Sequence, residues 1–450
     1  MNDRDFRADA VNRRVFLKGG AMALLALASP PEFLARSLLA ETRAAARRKT
    51  LICVFQRGAA DGLSMVVPFG DPAYYAARRS IAIASPARSG ERGALDLDGH
   101  FGLHPALRPL MDLYQRRELA IVHATGSPSP TRSHFEAQDI METASPDRRA
   151  ADGWLNRVLR ETGCAECAGR TLADPRAHAA DHAAGQQHLA GGAAALRGIA
   201  MGAALPLSLR GAAPSLAISD LDRFGVAGGR DPSLAGTFAE MYRTDHGDLV
   251  SGAAGEGLEA AELLKRIDPA RYQPAAAIRY PQTEFGRSLR QIAQLVKADV
   301  GVEVAFADLG GWDTHVAQGG ADGQLARRLG ELAQGLRALH DDLGERMRDV
   351  VILTMSEFGR TVAENGTGGT DHGHANCMFV LGGEVRGGRV LGDWPGLAPE
   401  QLNEGRDLKV TTDFRDVFGE VAQAHLGATH LERVFPGFSV DPSRFRGVLG

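Results

Sequence analysis

The sequence predicts an α/β protein with a doubly wound, mostly parallel sheet that is flanked by helices and carries surface insertions. Short apolar runs rich in β-branched residues recur along the chain, which is typical of strands buried on both faces of a parallel sheet. Amphipathic helical segments separate these runs, as right-handed parallel crossovers require. The 450 residues, of which 44% are hydrophobic and 24% charged, are enough to bury a large core.

The composition argues against two classes of protein. A formal net charge of -4 provides no basic field for phosphate backbones, so we expect no nucleic-acid partner. Four cysteines in a chain of this length are too few for a disulfide scaffold.

The amino terminus has the pattern of an export signal. Residues 12–18 (NRRVFLK) precede a short apolar run, 21–28, which is too short to cross a bilayer of ~30 Å. The paired arginines resemble a twin-arginine translocation signal. Residues 1–46 are therefore predicted to be a signal peptide and linker, with the twin-arginine translocase as partner during export, no stable membrane span and a periplasmic or secreted mature chain. The alternative is an amphipathic helix of the folded domain.

The first two predicted strands each end in candidate functional residues. Residues 51–56 form the first apolar run, and the tight turn after it leaves Asp61 near the strand end. A helix is predicted for 105–117, and 119–124 form the second strand. The next helix spans about 134–143, which places Ser133 at or just before its N-cap, where backbone N–H groups favour an anion.

The middle of the chain has no sustained apolar period. Residues 161–197 are rich in Ala, Gly and His and are predicted to be a poorly ordered surface insertion. Cys164 and Cys167 lie within it. They could bind a metal, form a disulfide after export, or belong to a flexible excursion without a role. The last interpretation is favoured because no second pair completes a zinc ligand set at the usual spacing, but His178 and His182, four residues apart, keep the metal-binding alternative open. Residues 199–280 are predicted to be a lid-like segment beside the sheet.

Periodic segments return in the last third of the chain. A helix is predicted for 285–297 and a strand for 302–309, after which come Asp313 and His315. Leucines spaced by three and four residues predict a long amphipathic helix over 325–343.

The final predicted strands enclose a polar loop. The strand over 350–355 ends at Ser356 and Glu357, and a glycine-rich loop then carries His372 and His374 to a strand over 378–381. Capping side chains at 411–413 precede the last predicted helix.

Carboxylates, imidazoles and a hydroxyl follow the ends of these strands, and Ser133 is followed directly by His134. Because parallel strands end at the same edge of a sheet, we expect the side chains to gather there. Converging carboxylates and imidazoles need a cation, and mixed ligands suit zinc, manganese or iron better than calcium. Each residue also has a structural interpretation, such as a turn role for Asp61 or a cap role for Ser133, but the joint pattern favours a metal site. The expected members are Asp61, Ser133, Asp313, His315, Glu357, His372 and His374.

Five motifs resemble the family called DUF1501. They are RGAADGL (57–63), RSHFEAQD (132–139), GGWDTH (310–315), SEFGRT (356–361) and DHGHAN (371–376). This family is grouped with the alkaline phosphatase-like fold, alongside sulfatases, nucleotide pyrophosphatases and cofactor-independent phosphoglycerate mutases. The resemblance implies that residues 47–450 form one such domain, with metals at the carboxyl edge of its sheet.

The resemblance also implies a role for each candidate. Asp61 matches a carboxylate that bridges or supports the metals, and Ser133 matches the nucleophile, with Thr131 as the alternative. Asp313 and His315 match ligands of one metal site, with His374 or His372 as its third ligand. Glu357 occupies a position that is usually Asp followed by His. Here Phe358 follows, so the resemblance implies one metal site and an incomplete second one.

The predicted function follows from these roles. A divalent metal, zinc or manganese, would activate Ser133 or a water molecule to hydrolyse a small-molecule phosphate or sulfate ester. Arg57 or Arg132 would stabilise the developing negative charge. The alternative is a non-catalytic exported protein that binds or assembles partners on the same fold with a degenerate metal site, an alternative favoured by Phe358.

Overall fold

The computed structural model describes residues 48–86, 90–145, 150–163, 196–221 and 272–450. The predicted signal segment 1–46, the Cys164 and Cys167 pair, and most of the lid-like segment 199–280 therefore lie outside the described residues. Within the described ranges, no helix has both the length and the apolar character needed to cross a membrane.

The secondary structure alternates strands with helices, numbered here in chain order over the described residues. The strands are β1 Thr50–Arg57, β2 Val66–Val67, β3 Leu95–Asp96, β4 Gly102–Leu103, β5 Leu119–Gly126, β6 Gly198–Met201, β7 Ser215–Ile218, β8 Val304–Gly310, β9 Val350–Met355, β10 Asn376–Gly382, β11 Arg389–Leu391 and β12 Thr412–Asp413. The helices are α1 Gly62–Met65, α2 Pro72–Ala77, α3 Met111–Gln115, α4 His134–Thr143, α5 Trp154–Thr162, α6 Glu284–Lys297, α7 Gln324–Leu343, α8 Phe414–Glu420 and α9 Leu431–Val434.

A nine-stranded sheet forms the centre of the described structure. Its order is β11-β5-β10-β9-β1-β8-β6-β7, and β12 also pairs with β5. The pairings of β1 with β8 and β9 are parallel, as are those of β6 with β7 and β8 and of β5 with β11 and β12. Only β10 is antiparallel to its neighbours in this sheet, β5 and β9. The predicted mixed α/β architecture with a mostly parallel sheet is confirmed.

The longest apolar runs form the central strands because helices cover both faces of the sheet. From β1, Ile52 and Val54 point into one core with residues of α6 and α7. Leu51, Cys53 and Phe55 point into a second core with residues of α5 and α8. All residues of β9 and β10 are buried, which explains why their sequences do not alternate between apolar and polar.

The helices follow their apolar periodicity with one interruption. The leucines of α7 that were predicted to share a side are buried. The segment predicted as one helix over 105–117 is instead a 3-10 helix, Pro105–Leu110, followed by α3. Pro109 lies inside the 3-10 helix and has no N–H to donate, which explains the break in regular α-helical hydrogen bonding.

The direction of β10 decides where its preceding loop lies. The strands β1, β5, β8 and β9 all end at one edge of the sheet, and β10 begins there because it runs the other way. The loop between β9 and β10 therefore leaves and returns to the same edge. This loop contains Glu357, Arg360, Asp371, His372 and His374.

Candidate metal centre

Three imidazoles and one carboxylate meet at this edge of the sheet. The Nε2 atom of His372 lies 3.0 Å from the Nε2 atoms of both His134 and His315. Asp313 Oδ1 lies 3.0 Å from His315 Nε2 and 3.3 Å from His372 Nε2, and Asp313 Oδ2 lies 3.6 Å from His134 Nε2. These four residues are called the His-Asp cluster below.

Each imidazole is held by its other nitrogen. His134 Nδ1 lies 2.8 Å from a Glu357 oxygen, and His315 Nδ1 lies 3.0 Å from an Asp371 oxygen. His372 Nδ1 lies 2.9 Å from the carbonyl oxygen of Arg132. Ionised carboxylates and carbonyls only accept hydrogen bonds, so in the neutral imidazoles Nδ1 carries the proton and the Nε2 lone pair faces the cluster. Histidines that bind metals are oriented in this way.

Glu357 is a buried carboxylate that orients His134. Its oxygens also accept hydrogen bonds from the Gly58 N–H at 2.9 Å, the Gln138 amide at 2.9 Å and the Ser356 hydroxyl at 3.1 Å. Burial raises the pKa of Glu357, but the hydrogen bonds from His134 and Gln138 oppose it, and the net effect is a lowered pKa. Glu357 therefore stays ionised and acts as an acceptor.

The pKa values of two cluster imidazoles shift in opposite directions. The hydrogen bond with Glu357 is the main cause of the raised pKa of His134. Burial lowers the pKa of His372, which favours the uncharged ring that a metal requires. The pKa of Asp371 is lowered by hydrogen bonds from Asn365 and His315, so it too remains a carboxylate that can hold an imidazole.

Arg360 is the cation of the cluster, and its side chain is fully buried. Its guanidinium lies 2.5 Å from Asp313 Oδ1. Burial raises the pKa of Asp313, but the hydrogen bond and the charge of Arg360 lower it by more. The net result is a lowered pKa, so Asp313 is ionised. The guanidinium also donates to the carbonyl oxygens of Gly58, Ala59, Trp312 and Thr370. Arg360 thus ties together the loops after β1, β8 and β9.

The donor set fits a divalent metal. Three Nε2 lone pairs and an ionised carboxylate face one another, and such a group repels itself unless a cation lies between its members. In a tetrahedral zinc site with bonds of ~2.0–2.2 Å, ligand atoms lie roughly 3.3–3.6 Å apart. Ligand atoms of His134, Asp313 and His372 all lie within 4.8 Å of one another, which fits three ligands of one metal with a fourth position open. His315 Nε2 lies beside this group, 3.0 Å from His372 Nε2 and 3.4 Å from the Arg360 guanidinium.

Phe358 packs on the cluster from its buried side. Its ring centroid lies 5.0 Å from those of both His134 and His372. Together with Ala59 and Ala137 it forms a small apolar cluster. The residue after Glu357 therefore contributes packing rather than a ligand atom.

Asp61 lies outside the His-Asp cluster. It is buried, and both of its oxygens accept hydrogen bonds from Arg78, at 2.6 and 2.9 Å. Burial raises the pKa of Asp61, but the charge of Arg78 and the hydrogen bonds lower it overall. The Gln318 amide donates to Asp61 at 2.7 Å and accepts hydrogen bonds from Thr314 and Thr370, next to cluster residues. Both carboxylate oxygens of Asp61 are thus bound by Arg78, and Asp61 supports the cluster loops only indirectly, through Gln318.

His374 also lies outside the cluster, two residues after His372. Its Nε2 lies 2.8 Å from the carbonyl oxygen of Ser127, and the Asn403 amide donates to its Nδ1 at 3.1 Å. Both ring nitrogens are therefore used in hydrogen bonds that anchor the loop. Of the two histidines considered as the distant ligand, the structure brings His372 to the cluster.

The proposed nucleophile lies beside the cluster. Ser133 is the exposed N-cap residue of α4, directly before His134. Its hydroxyl makes no hydrogen bond to the His-Asp cluster within the described part of the chain. Thr131, the alternative nucleophile, donates its hydroxyl to Glu136 at 3.0 Å.

The two arginines predicted to stabilise negative charge are both paired with carboxylates. Arg57 lies 2.6 Å from Asp308 and 2.9 Å from Glu142. Arg132 lies 2.6 Å from Asp407 and reaches the cluster only through its backbone carbonyl. Neither guanidinium is brought into contact with the His-Asp cluster.

Sequence reasoning missed several residues of this centre. His134 was noted beside Ser133 but was given no ligand role, although an imidazole at the start of a helix has as little packing value as those at 372 and 374. Asp371 and Arg360 stand within the quoted motifs, but no sequence pattern shows that they orient His315 and Asp313. Gln138, which contacts Glu357, carries no sequence signal, because glutamine is common on helix surfaces.

Comparison with known proteins agrees with the resemblance noted in the motifs. The family model described as "Protein of unknown function (DUF1501)" matches residues 48–435. A search of curated proteins found no match to the chain.

Proposed function

The chain belongs to the DUF1501 family, and we propose that it is an exported metal-dependent hydrolase of phosphate or sulfate esters with an alkaline phosphatase-like fold. One observation carries the proposal. Three Nε2 lone pairs and Asp313 converge, while every Nδ1 is tied to an acceptor. Imidazole ligands together with one carboxylate favour zinc, with manganese as the second candidate.

In this proposal, some cluster residues bind the metal and others hold those ligands in place. His134, His372 and Asp313 would hold the metal, with His315 beside them, and would leave a fourth position for water or substrate. When bound, the metal would lower the pKa of that water or of a hydroxyl and would polarise an ester oxygen. Glu357 keeps the ring of His134 in one orientation. Arg360 holds Asp313 and, being fully buried, serves the ligand rather than the substrate.

Ser133 is the proposed nucleophile of this hydrolase. It stands at the start of a ten-residue helix, one residue before a proposed ligand. The first N–H groups of α4 favour negative charge at this point. A water molecule at the cluster is the competing nucleophile, and replacing Ser133 separates the two.

A second candidate is a non-catalytic protein that binds partners on the same fold. The packing of Phe358 against His134 and His372 favours it, because an apolar ring lies where a second metal ligand is expected. The pairing of Arg57 and Arg132 with carboxylates also removes two cations expected to bind substrate.

The test is metal analysis of the purified mature chain, followed by assay with aryl phosphate and aryl sulfate esters. The hydrolase proposal expects about one zinc or manganese per chain and turnover that chelation abolishes. Metal without turnover favours the binding protein. Absence of both metal and turnover contradicts the hydrolase and favours a structural role for the fold. Ser133→Ala should keep the metal and lose turnover, and full activity in this variant would assign the reaction to water.

A further inference from the structure

Two exposed apolar side chains flank the His-Asp cluster. Phe135 is 86% exposed and directly follows His134, and Val316 is 59% exposed and directly follows His315. They are the only large hydrophobic residues that are exposed within the described ranges. Each stands on a different chain segment, and both segments meet at His372. Single exposed apolar residues are ordinary, but two that both adjoin the His-Asp cluster point to an apolar partner at this place.

The buried side of the cluster is apolar as well. Phe358 lies against the rings of His134 and His372 and packs with Ala59 and Ala137. An apolar group bound at the cluster and in contact with Phe135 or Val316 would cover an exposed hydrocarbon side chain. Removal of apolar surface from water on both partners would then favour binding.

The charges around the cluster limit the charge of the substrate. Asp313, Glu357 and Asp371 are carboxylates, and Arg360 with a divalent metal would balance them. The metal-loaded centre would therefore be close to neutral. The desolvation cost of an anion grows with the square of its charge, whereas its attraction to the centre grows only in proportion to that charge. A centre with little net charge therefore favours a singly charged group over a doubly charged one.

The neighbouring arginines do not change this balance. Arg57 contacts both Asp308 and Glu142. Arg132 contacts Glu404 and Asp407, and Arg406 contacts Asp407 and the carbonyl oxygen of His372. Each guanidinium near the cluster already has a carboxylate partner, so the described residues offer no surplus cation for a second negative charge.

We propose that Phe135 and Val316 are specificity-determining residues, and that the substrate is an ester with one negative charge and an apolar group. Sulfate monoesters and phosphate diesters share this chemistry, and phosphate monoesters, which are dianions at neutral pH, do not. The inference rests on the proposed function, because it assigns the metal-loaded cluster as the place where the ester binds.

The first test is equilibrium binding to the zinc-loaded full chain, measured by calorimetry at pH 8. The probes are phenyl sulfate, methyl sulfate and phenyl phosphate. Phenyl sulfate should bind about tenfold more tightly than methyl sulfate, which has the same charge, because the ring buries apolar surface. Phenyl phosphate should bind no more tightly than phenyl sulfate. Tighter binding of phenyl phosphate, or equal binding of the two sulfates, overturns the proposal.

Matched variants assign the effect to the two side chains. Phe135→Ser combined with Val316→Ser should remove most of the tenfold preference for phenyl sulfate, and Phe135→Leu, which keeps an apolar side chain, should retain it. Zinc content is measured for each variant to show that the cluster is intact. A double serine variant that still prefers phenyl sulfate overturns the assignment.

Turnover separates this inference from the proposed function. The substrates are p-nitrophenyl sulfate, bis(p-nitrophenyl) phosphate and p-nitrophenyl phosphate. At least one of the two singly charged esters should be cleaved faster than p-nitrophenyl phosphate. Whichever of these two is cleaved faster shows whether the substrate is a sulfate ester or a phosphate diester. Faster cleavage of p-nitrophenyl phosphate overturns the substrate class but leaves the hydrolase. A chain that binds no zinc or manganese overturns both.

Discussion

At the scale of single residues, the two nitrogens of each cluster imidazole have separate roles. Nδ1 donates to Glu357, Asp371 or a backbone carbonyl, and Nε2 faces the other imidazoles. The acceptors fix both the orientation and the tautomer of each ring before any metal binds. The cluster is therefore preorganised, and loss of one ligand should not be replaced by a nearby histidine.

The neighbouring histidines of one loop test this directly. His372→Ala should lower metal affinity by more than ~100-fold, the upper range for removing only a supporting group, because a ligand atom is removed. His374→Ala is the matched control and should keep the metal, since its ring nitrogens contact Ser127 and Asn403. Competition with a chelator measures both affinities. Equal loss in the two variants would contradict the assignment.

Asp61 has a stability role that its replacement should reveal. Asp61→Asn leaves Arg78 charged and buried without its partner, so we expect a loss of about 3–5 kcal/mol in the free energy of unfolding. Denaturant unfolding of the metal-free protein measures this loss. The double variant Asp61→Asn, Arg78→Met should recover part of it, because the buried charge is gone. A normal stability with lost metal would instead make Asp61 a ligand.

Two buried histidines outside the cluster predict acid sensitivity of the fold. Their Nδ1 atoms accept hydrogen bonds from the N–H groups of Ala106 and Ala124, so protonation there breaks a hydrogen bond. Burial lowers the pKa of both His104 and His123 to about 4. An unfolded histidine takes up a proton near pH ~6.5, so the unfolded chain binds more protons between pH ~6.5 and 4.

The stability contribution of these histidines is therefore complete above pH ~6.5 and is lost as the pH falls towards 4, by up to about 3 kcal/mol for each. Denaturant midpoints of the metal-free protein at several pH values measure the slope. His123→Gln keeps an N–H donor for the Val66 carbonyl and should flatten the slope. An unchanged slope would show that His123 is not responsible.

The sequence predicted the residue types of the centre better than their roles. Asp313, His315, Glu357 and His372 do come together, because each follows or precedes a long apolar strand. The partner of a carboxylate was not predictable, since nothing in the sequence places Arg78 against Asp61 or Arg360 against Asp313. His134 received no ligand role because the helix-capping argument directs attention to the serine before it.

At the scale of elements, the loop between β9 and β10 is the part on which the centre depends most. It folds back on itself: the Gly359 N–H donates to the carbonyl oxygen of His374, and the Gly373 N–H donates to the carbonyl oxygen of Gly359. A Cβ atom at Gly359 would lie 1.8 Å from the carbonyl oxygen of Ala375. No side chain fits there, so this approach of two backbone segments requires glycine.

Gly359→Ala should therefore displace the loop and reduce both metal content and stability, the latter by at least the ~1–3 kcal/mol typical of overpacking. Gly366→Ala is the control in the same loop, because a Cβ there meets nothing within 4 Å. Metal analysis and thermal unfolding compare the two variants. Full metal binding by Gly359→Ala would mean that the loop can shift without moving His372.

The long strands were predictable and the short ones were not. The five strands predicted from apolar runs correspond to β1, β5, β8, β9 and β10, whose burial leaves a clear signal. Strands of two to four residues, such as β6 and β12, are too short to show a period. The antiparallel direction of β10 could not be predicted either, because strand direction depends on the chain path and not on side-chain pattern.

At the scale of the whole molecule, one sheet has a core on each face, and all four cluster residues lie in segments that adjoin the ends of its strands. The general rule that ligands bind at the carboxyl ends of parallel strands gave the correct edge for Asp313, His315 and His372. The order of the strands across the sheet was not predictable, because it depends on long-range pairing.

Export is the prediction that concerns the whole chain. Lysine substitution of both Arg13 and Arg14 should leave the precursor in the cytoplasm, since the proposed signal depends on the arginine pair. Fractionation of cells that produce the full chain measures its distribution. Normal export of this variant would exclude the twin-arginine route. Because that route carries folded proteins, a Gly359→Ala precursor should also be exported less.

The separation of the ligands along the chain has a practical result. His134 and His372 are 238 residues apart, yet their Nε2 atoms are neighbours only after β5, β10, β9, β1 and β8 have taken their places side by side. An incompletely assembled molecule has no such pair of atoms. For a chain that binds the proposed metal, the ratio of bound metal to protein in a preparation should therefore report the fraction of molecules whose sheet is complete, and could be used to compare preparations before any substrate is known.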